Sequence, residues 1–97
     1  MVTNINFYIM KKEERISEIN RVLQEYFEKH LDSGKIAAKE FMNLFIENGI
    51  FKKNNKDGLP IRQLLRELDK ENQLNKIPYV YAERKEKNVN WYFCSKI

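Results

Sequence analysis

Pro60-Ile-Arg-Gln-Leu-Leu-Arg-Glu-Leu-Asp69 is the stretch on which the reading of the fold turns. Ile61, Leu64, Leu65 and Leu68 fall at i, i+3, i+4 and i+7, the spacing that gathers side chains on one face of an α-helix. Pro60 suits the first turn, where a missing N–H leaves no bond unmade. The spacing predicts a helix over residues 60–72, with Arg62, Gln63, Arg66, Glu67, Asp69 and Lys70 on the face opposite the leucines. Three of these cations, at 62, 66 and 70, lie along one edge. A face built only for solvation more often alternates its signs, since opposite charges four apart each contribute about 0.2–0.5 kcal/mol.

Working toward the N-terminus, residues 52–58 form a polar connection rich in lysine (Lys52, Lys53, Lys56) with Asp57-Gly58 as its turn element. Before it, Ala37 to Asn48 reads as a second helix with Ala38, Phe41, Met42, Phe45 and Ile46 on its buried face. Asn48-Gly49 ends it, and Ile50 or Phe51 folds back on the last turn. Lys11 to Leu31 reads as a long amphipathic first helix. Its apolar stripe is Ile16, Ile19, Val22, Leu23, Tyr26, Phe27 and then His30 or Leu31, and Asp32-Ser33-Gly34 stops it. Asn4 to Met10 alternates Ile5, Phe7 and Ile9 with Asn6 and Tyr8, the pattern of a short strand.

Toward the C-terminus the period changes from 3.6 to 2. Ile77 to Glu83 and Val89 to Cys94 read as the strands of a β-hairpin. Val89, Trp91 and Phe93 lie on one side, and Asn90, Tyr92 and Cys94 on the other. The tip, residues 84–88, holds Arg84, Lys85, Lys87 and Asn88, with Glu86 diluting the positive charge. The expected fold class is therefore α+β: one domain spanning residues 1–97, with three helices, a C-terminal hairpin and a short N-terminal strand.

This order resembles the winged helix-turn-helix domain across residues 12–94. The likeness is carried by Ile36-Ala-Ala-Lys-Glu-Phe41, Asn48-Gly49, Pro60 to Asp69, and the hairpin from Tyr79 to Phe93. The resemblance implies a third helix directed to the DNA major groove and a hairpin that touches the backbone or minor groove. The connection between helices two and three is longer than the tight turn of the commonest members, and the N-terminal strand is an addition.

Charge supports a polyanionic partner. Residues 1–50 carry seven Lys/Arg against eight Asp/Glu, a net of −1, whereas residues 51–97 carry eleven against six, a net of +5. Arg pairs with guanine O6 and N7 and Gln with adenine N6 and N7, so Arg62, Gln63 and Arg66 are suitable types for reading base edges. Lys70, the tip residues and Lys52, Lys53 and Lys56 are candidates for phosphate contact. Contact with about five phosphates would give a slope of log K against log salt near −4.5. The same residues also suit plain solvation, and charged tips discourage edge-to-edge strand pairing. The aromatics Tyr79, Tyr81, Trp91, Tyr92 and Phe93 are expected chiefly in the core, with base stacking as a second use. An alternative function is protein interaction or dimerisation through helix 11–31 or strand 4–10.

Other classes lack the residues they need. One His and one Cys stand 64 positions apart, no Gly-rich phosphate loop is present, and no nucleophile, base and orienting group assemble. No enzymatic activity, metal or cofactor is expected. Cys94 reads as a packing residue, and a single cysteine forms no internal disulfide. No apolar run approaches the ~18 residues of a membrane span, and the N-terminus lacks a signal-peptide pattern, so the expected location is cytoplasmic.

Overall fold

The computed structural model describes residues 10–95; nearly all of the expected N-terminal strand 4–10 lies outside them. The described chain holds three α-helices and a three-stranded antiparallel sheet. Helix α1 runs Lys12–Lys29, strand β1 Ile36–Ala37, a 3-10 turn Ala38–Phe41, and helix α2 Met42–Glu47. Helix α3 runs Leu59–Lys70, a second 3-10 turn Leu74–Lys76, strand β2 Val80–Arg84, and strand β3 Val89–Phe93. The sheet order is β1-β3-β2.

Helix α1 begins where the Lys11 backbone N–H donates to the Glu14 carboxylate at 2.9 Å, satisfying one of the donors that a helix start leaves open. Ile16, Ile19, Val22, Leu23 and Phe27 are buried, as their spacing predicts. Leu31, expected at the end of that stripe, is instead exposed beyond the last turn. His30 stacks its ring on Tyr26, with centroids 4.2 Å apart.

The expected helix 37–48 is not continuous. Its first residue, Ala37, pairs in β1 and Ala38–Phe41 tighten into the 3-10 turn, leaving only Met42–Glu47 α-helical. The cause is long-range: Ile36 pairs with Phe93 and Ala37 with Tyr92, so the strand ladder holds the backbone that local propensity would have coiled. The anchoring residues still face inward, with Ala38, Phe41, Met42 and Phe45 all buried. Ile50 folds back as expected, its N–H donating to the Phe45 carbonyl at 2.9 Å.

Helix α3 begins one residue earlier than expected and ends two earlier, and all four of its periodic residues, Ile61, Leu64, Leu65 and Leu68, are buried. The hairpin register is Val80 with Phe93, Ala82 with Trp91 and Arg84 with Val89, which sets these six on the inner face. Tyr81, Glu83, Asn90 and Tyr92 form the outer face. The first strand starts later than expected because the chain turns over Ile77 to Val80, where the Val80 N–H donates to the Ile77 carbonyl at 3.0 Å, and it continues to Arg84. The loop is thus residues 85–88, closed by the Lys85 N–H donating to the Asn88 carbonyl at 2.8 Å.

The core centres on aromatic contacts between α2 and the sheet. Phe45 lies 6.0 Å from Phe41, 6.2 Å from Phe51 and 6.2 Å from Phe93, ring centre to ring centre. Around it, ion pairs join the ends of the helices: Lys12 reaches Glu71 at 3.0 Å and Lys76 reaches Glu13 at 2.9 Å. These are exposed pairs, screened by solvent, and contribute little to stability.

Candidate nucleic-acid interface

Turning the leucines of α3 inward leaves Arg62 and Arg66 facing a groove of about 780 Å³ between that helix and the sheet. Its walls include Lys39, Asp57, Arg62, Arg66, Asp69, Lys87, Asn88 and the length of β3 from Val89 to Tyr92. Strand β1 pairs only with Phe93 and Tyr92, so the groove runs beside the remaining length of β3. Four cations line it against two carboxylates, a net of +2.

The candidate residues divide by what already holds them. The Arg66 side chain is exposed and, among the described residues, has no hydrogen-bond or ion-pair partner; the same holds for the Lys87 side chain. Arg62 is half-buried, and its Nη2 donates to the Lys56 carbonyl at 2.8 Å and the Asp57 carbonyl at 3.4 Å. Those carbonyls belong to an unusual turn. Lys56, Asp57 and Gly58 have φ of 48°, 55° and 89°, three consecutive left-handed residues. The Leu59 N–H donates to the Asn55 carbonyl at 2.9 Å across them, and the Gly58 N–H donates to Asn54 Oδ1 at 2.6 Å. Arg62 therefore clips the turn that launches α3 as well as facing the groove.

Arg84 is placed differently from the expectation. It is the last residue of β2, not part of the tip, and its register sends it inward. There its guanidinium forks onto Asp69 of α3, with Nη2 to Oδ1 at 2.9 Å and Nη1 to Oδ2 at 3.1 Å. Lys85 lies beside Glu83 at 3.9 Å and does not line the groove. Gln63 and Lys70 are exposed on α3 but outside the groove walls, so the expected row of cations at 62, 66 and 70 contributes two members to it. Lys52, Lys53 and Lys56 are exposed on the connection and also lie outside the walls. The structure thus brings together Arg62, Arg66, Lys87 and Asn88.

Two contributors escaped sequence reasoning. Lys39, in the 3-10 turn, pairs with Asp57 at 2.9 Å on the groove wall. Asn90 lines the groove from β3 and donates to Glu83 Oε1 at 3.2 Å, an oxygen that also accepts from the Tyr92 hydroxyl at 3.3 Å. No local pattern announces either, since each depends on an element distant in sequence. Lys35 sits over the Tyr92 ring at 4.6 Å and the Tyr81 ring at 5.0 Å, so both rings of the outer face already hold a cation.

The fork from Arg84 holds the Asp69 carboxyl below its ordinary range, chiefly by hydrogen bonding, with burial opposing and the guanidinium charge assisting. A carboxyl whose pKa is lower in the folded state contributes stability that is present above the unfolded value, near 4, and lost as pH falls through the folded value. The thermal midpoint of Arg84→Ala is therefore expected to fall less steeply than the wild type below about pH 4. Thermal melts across an acid series check this; parallel curves would show that the pair adds no pH-linked stability.

Among the described residues no group of three or more His, Cys, Asp or Glu is placed to hold a metal ion, and no helix is long and apolar enough to cross a membrane. No protein-family profile, curated protein or solved structure matches the chain.

Proposed function

We propose that this domain is a non-enzymatic module that binds duplex DNA in the manner of a winged helix. In this reading α3 approaches the major groove and the 85–88 loop approaches the backbone. The observation that supports it is the convergence of Arg66 and Lys87, exposed and without internal partners, on one groove with Arg62. A long cation held over the phosphate backbone releases counterions, which supplies affinity without sequence preference. Arg66 is the side chain best suited to read a base, since Arg62 is engaged with the turn before it. The apolar stripe of α1 is buried in the domain's own core, so a protein partner on that helix would meet its charged face.

Arg66 and Lys87 are open to phosphates, and Arg62 still offers Nε and Nη1, since only its Nη2 is given to the turn, so three cations of the groove can meet the strand. They give an expected slope of log K against log salt of about −2.7, shallower than the roughly −4.5 of five phosphate contacts because three cations rather than five meet the strand. Fluorescence anisotropy of a labelled duplex, titrated with protein at several salt concentrations, measures it. Arg66→Ala is expected to weaken binding by about 1–3 kcal/mol if it reads a base, with preference relaxed at one position. Unchanged anisotropy at low salt up to about 100 μM protein would remove the proposal, because even non-specific binding falls within that range.

A further inference from the structure

Both carboxylates on the groove walls are engaged with cations of the same neighbourhood: Asp57 with Lys39 at 2.9 Å, and Asp69 with Arg84 through a two-bond fork at 2.9 and 3.1 Å. A guanidinium fork donates to the paired oxygens of a carboxylate or a phosphate in the same geometry. Neither pair is sealed in the core. The Arg84 and Lys39 side chains are 56% and 43% exposed, so an incoming anion can reach each cation without unfolding its element. Exposed pairs of this kind contribute little stability, so exchanging one anion for another costs the fold little.

We infer that Asp69 and Asp57 are internal stand-ins for backbone phosphates, which occupy Arg84 and Lys39 and so hold down the affinity of the groove for duplex DNA. This rests on the reading of the groove as a DNA interface. Each carboxylate acts twice: it competes for its cation, and it repels the strand that would lie along the wall. Removing one does both in the direction of tighter binding. Each freed cation neutralises one more phosphate, so the salt slope steepens by about 0.9 per substitution.

Asp69→Asn and Asp57→Asn test this by keeping side-chain shape while removing charge. Asparagine also tolerates the left-handed backbone of position 57, where φ is 55°. The probe is a fluorescently labelled, mixed-sequence duplex of two helical turns, with thermal melts confirming the fold of each variant. Each variant is expected to bind about three- to tenfold more tightly at low salt, with a slope near −3.6 in place of about −2.7. If the wild type binds and both folded variants bind equally or more weakly at unchanged slope, the carboxylates are scaffolding and the inference fails while the DNA reading stands. If neither the wild type nor the variants bind, both fall. Asp57→Asn decides the matter alone should Asp69→Asn fail to fold.

Discussion

Replacing Phe45 by alanine is expected to lower the unfolding free energy by about 3–5 kcal/mol. The ring is fully buried and touches Phe41, Phe51 and Phe93, so it joins α2, the chain that follows α2, and the central strand. Deleting it removes apolar area from the core and leaves a cavity that three other rings, themselves fixed by the backbone, close only in part. A domain of this size holds about 5–15 kcal/mol in total, so the loss consumes a large share. Urea denaturation followed by far-UV circular dichroism measures it. A change below about 1 kcal/mol would mean that Phe45 does not hold the sheet to α2 as described.

The second large effect is expected at Gly58. Its φ of 89° lies where an L-side chain costs about 1–2 kcal/mol. A Cβ added there would stand 2.5 Å from the Lys39 Cβ and 2.9 Å from the Lys39 Cα. The second contact is to backbone, so no rotamer change relieves it. Strain and overpacking together give Gly58→Ala an expected loss of roughly 2–4 kcal/mol. Because Gly58 caps α3, the strain falls on the orientation of the helix that bears Arg62 and Arg66. Under the proposed DNA-binding role, duplex affinity is therefore expected to fall along with stability. Urea denaturation and duplex titration of the same sample measure both. Unchanged stability would contradict the close approach of the α3 start to the 3-10 turn.

The residues that bury most of the core were readable from their periods. Ile61, Leu64, Leu65 and Leu68 are spaced at helical intervals, and Trp91 and Phe93 alternate, and both signals are local. Strand β1 was not readable. It has two residues, Ile36 and Ala37, and exists because Phe93 and Tyr92 lie beside it, a pairing that neighbouring residues do not encode. Arg84 illustrates the same limit at the site. As part of a polar run before a turn it resembles any tip cation, and only the β2–β3 register turns it inward onto Asp69. The leucines settle which way α3 turns, and so put Arg62 and Arg66 on the side away from the core, though the bonds from Arg62 to the turn before it have no signal in the spacing. Their neighbourhood with Lys87 and Asn88 required the fold.

In the proposed binding mode one groove, between α3 and the sheet, receives the nucleic acid. Two-dimensional NMR of isotope-labelled protein titrated with unlabelled duplex tests this most directly. The expected result is chemical-shift change at Arg66, Lys87, Asn88 and Asn90, with the α1 surface around Glu18, Glu25 and Glu28 unmoved. Shifts confined to that acidic surface, or to the hollow lined by Leu31, Tyr81 and Cys94, would contradict it.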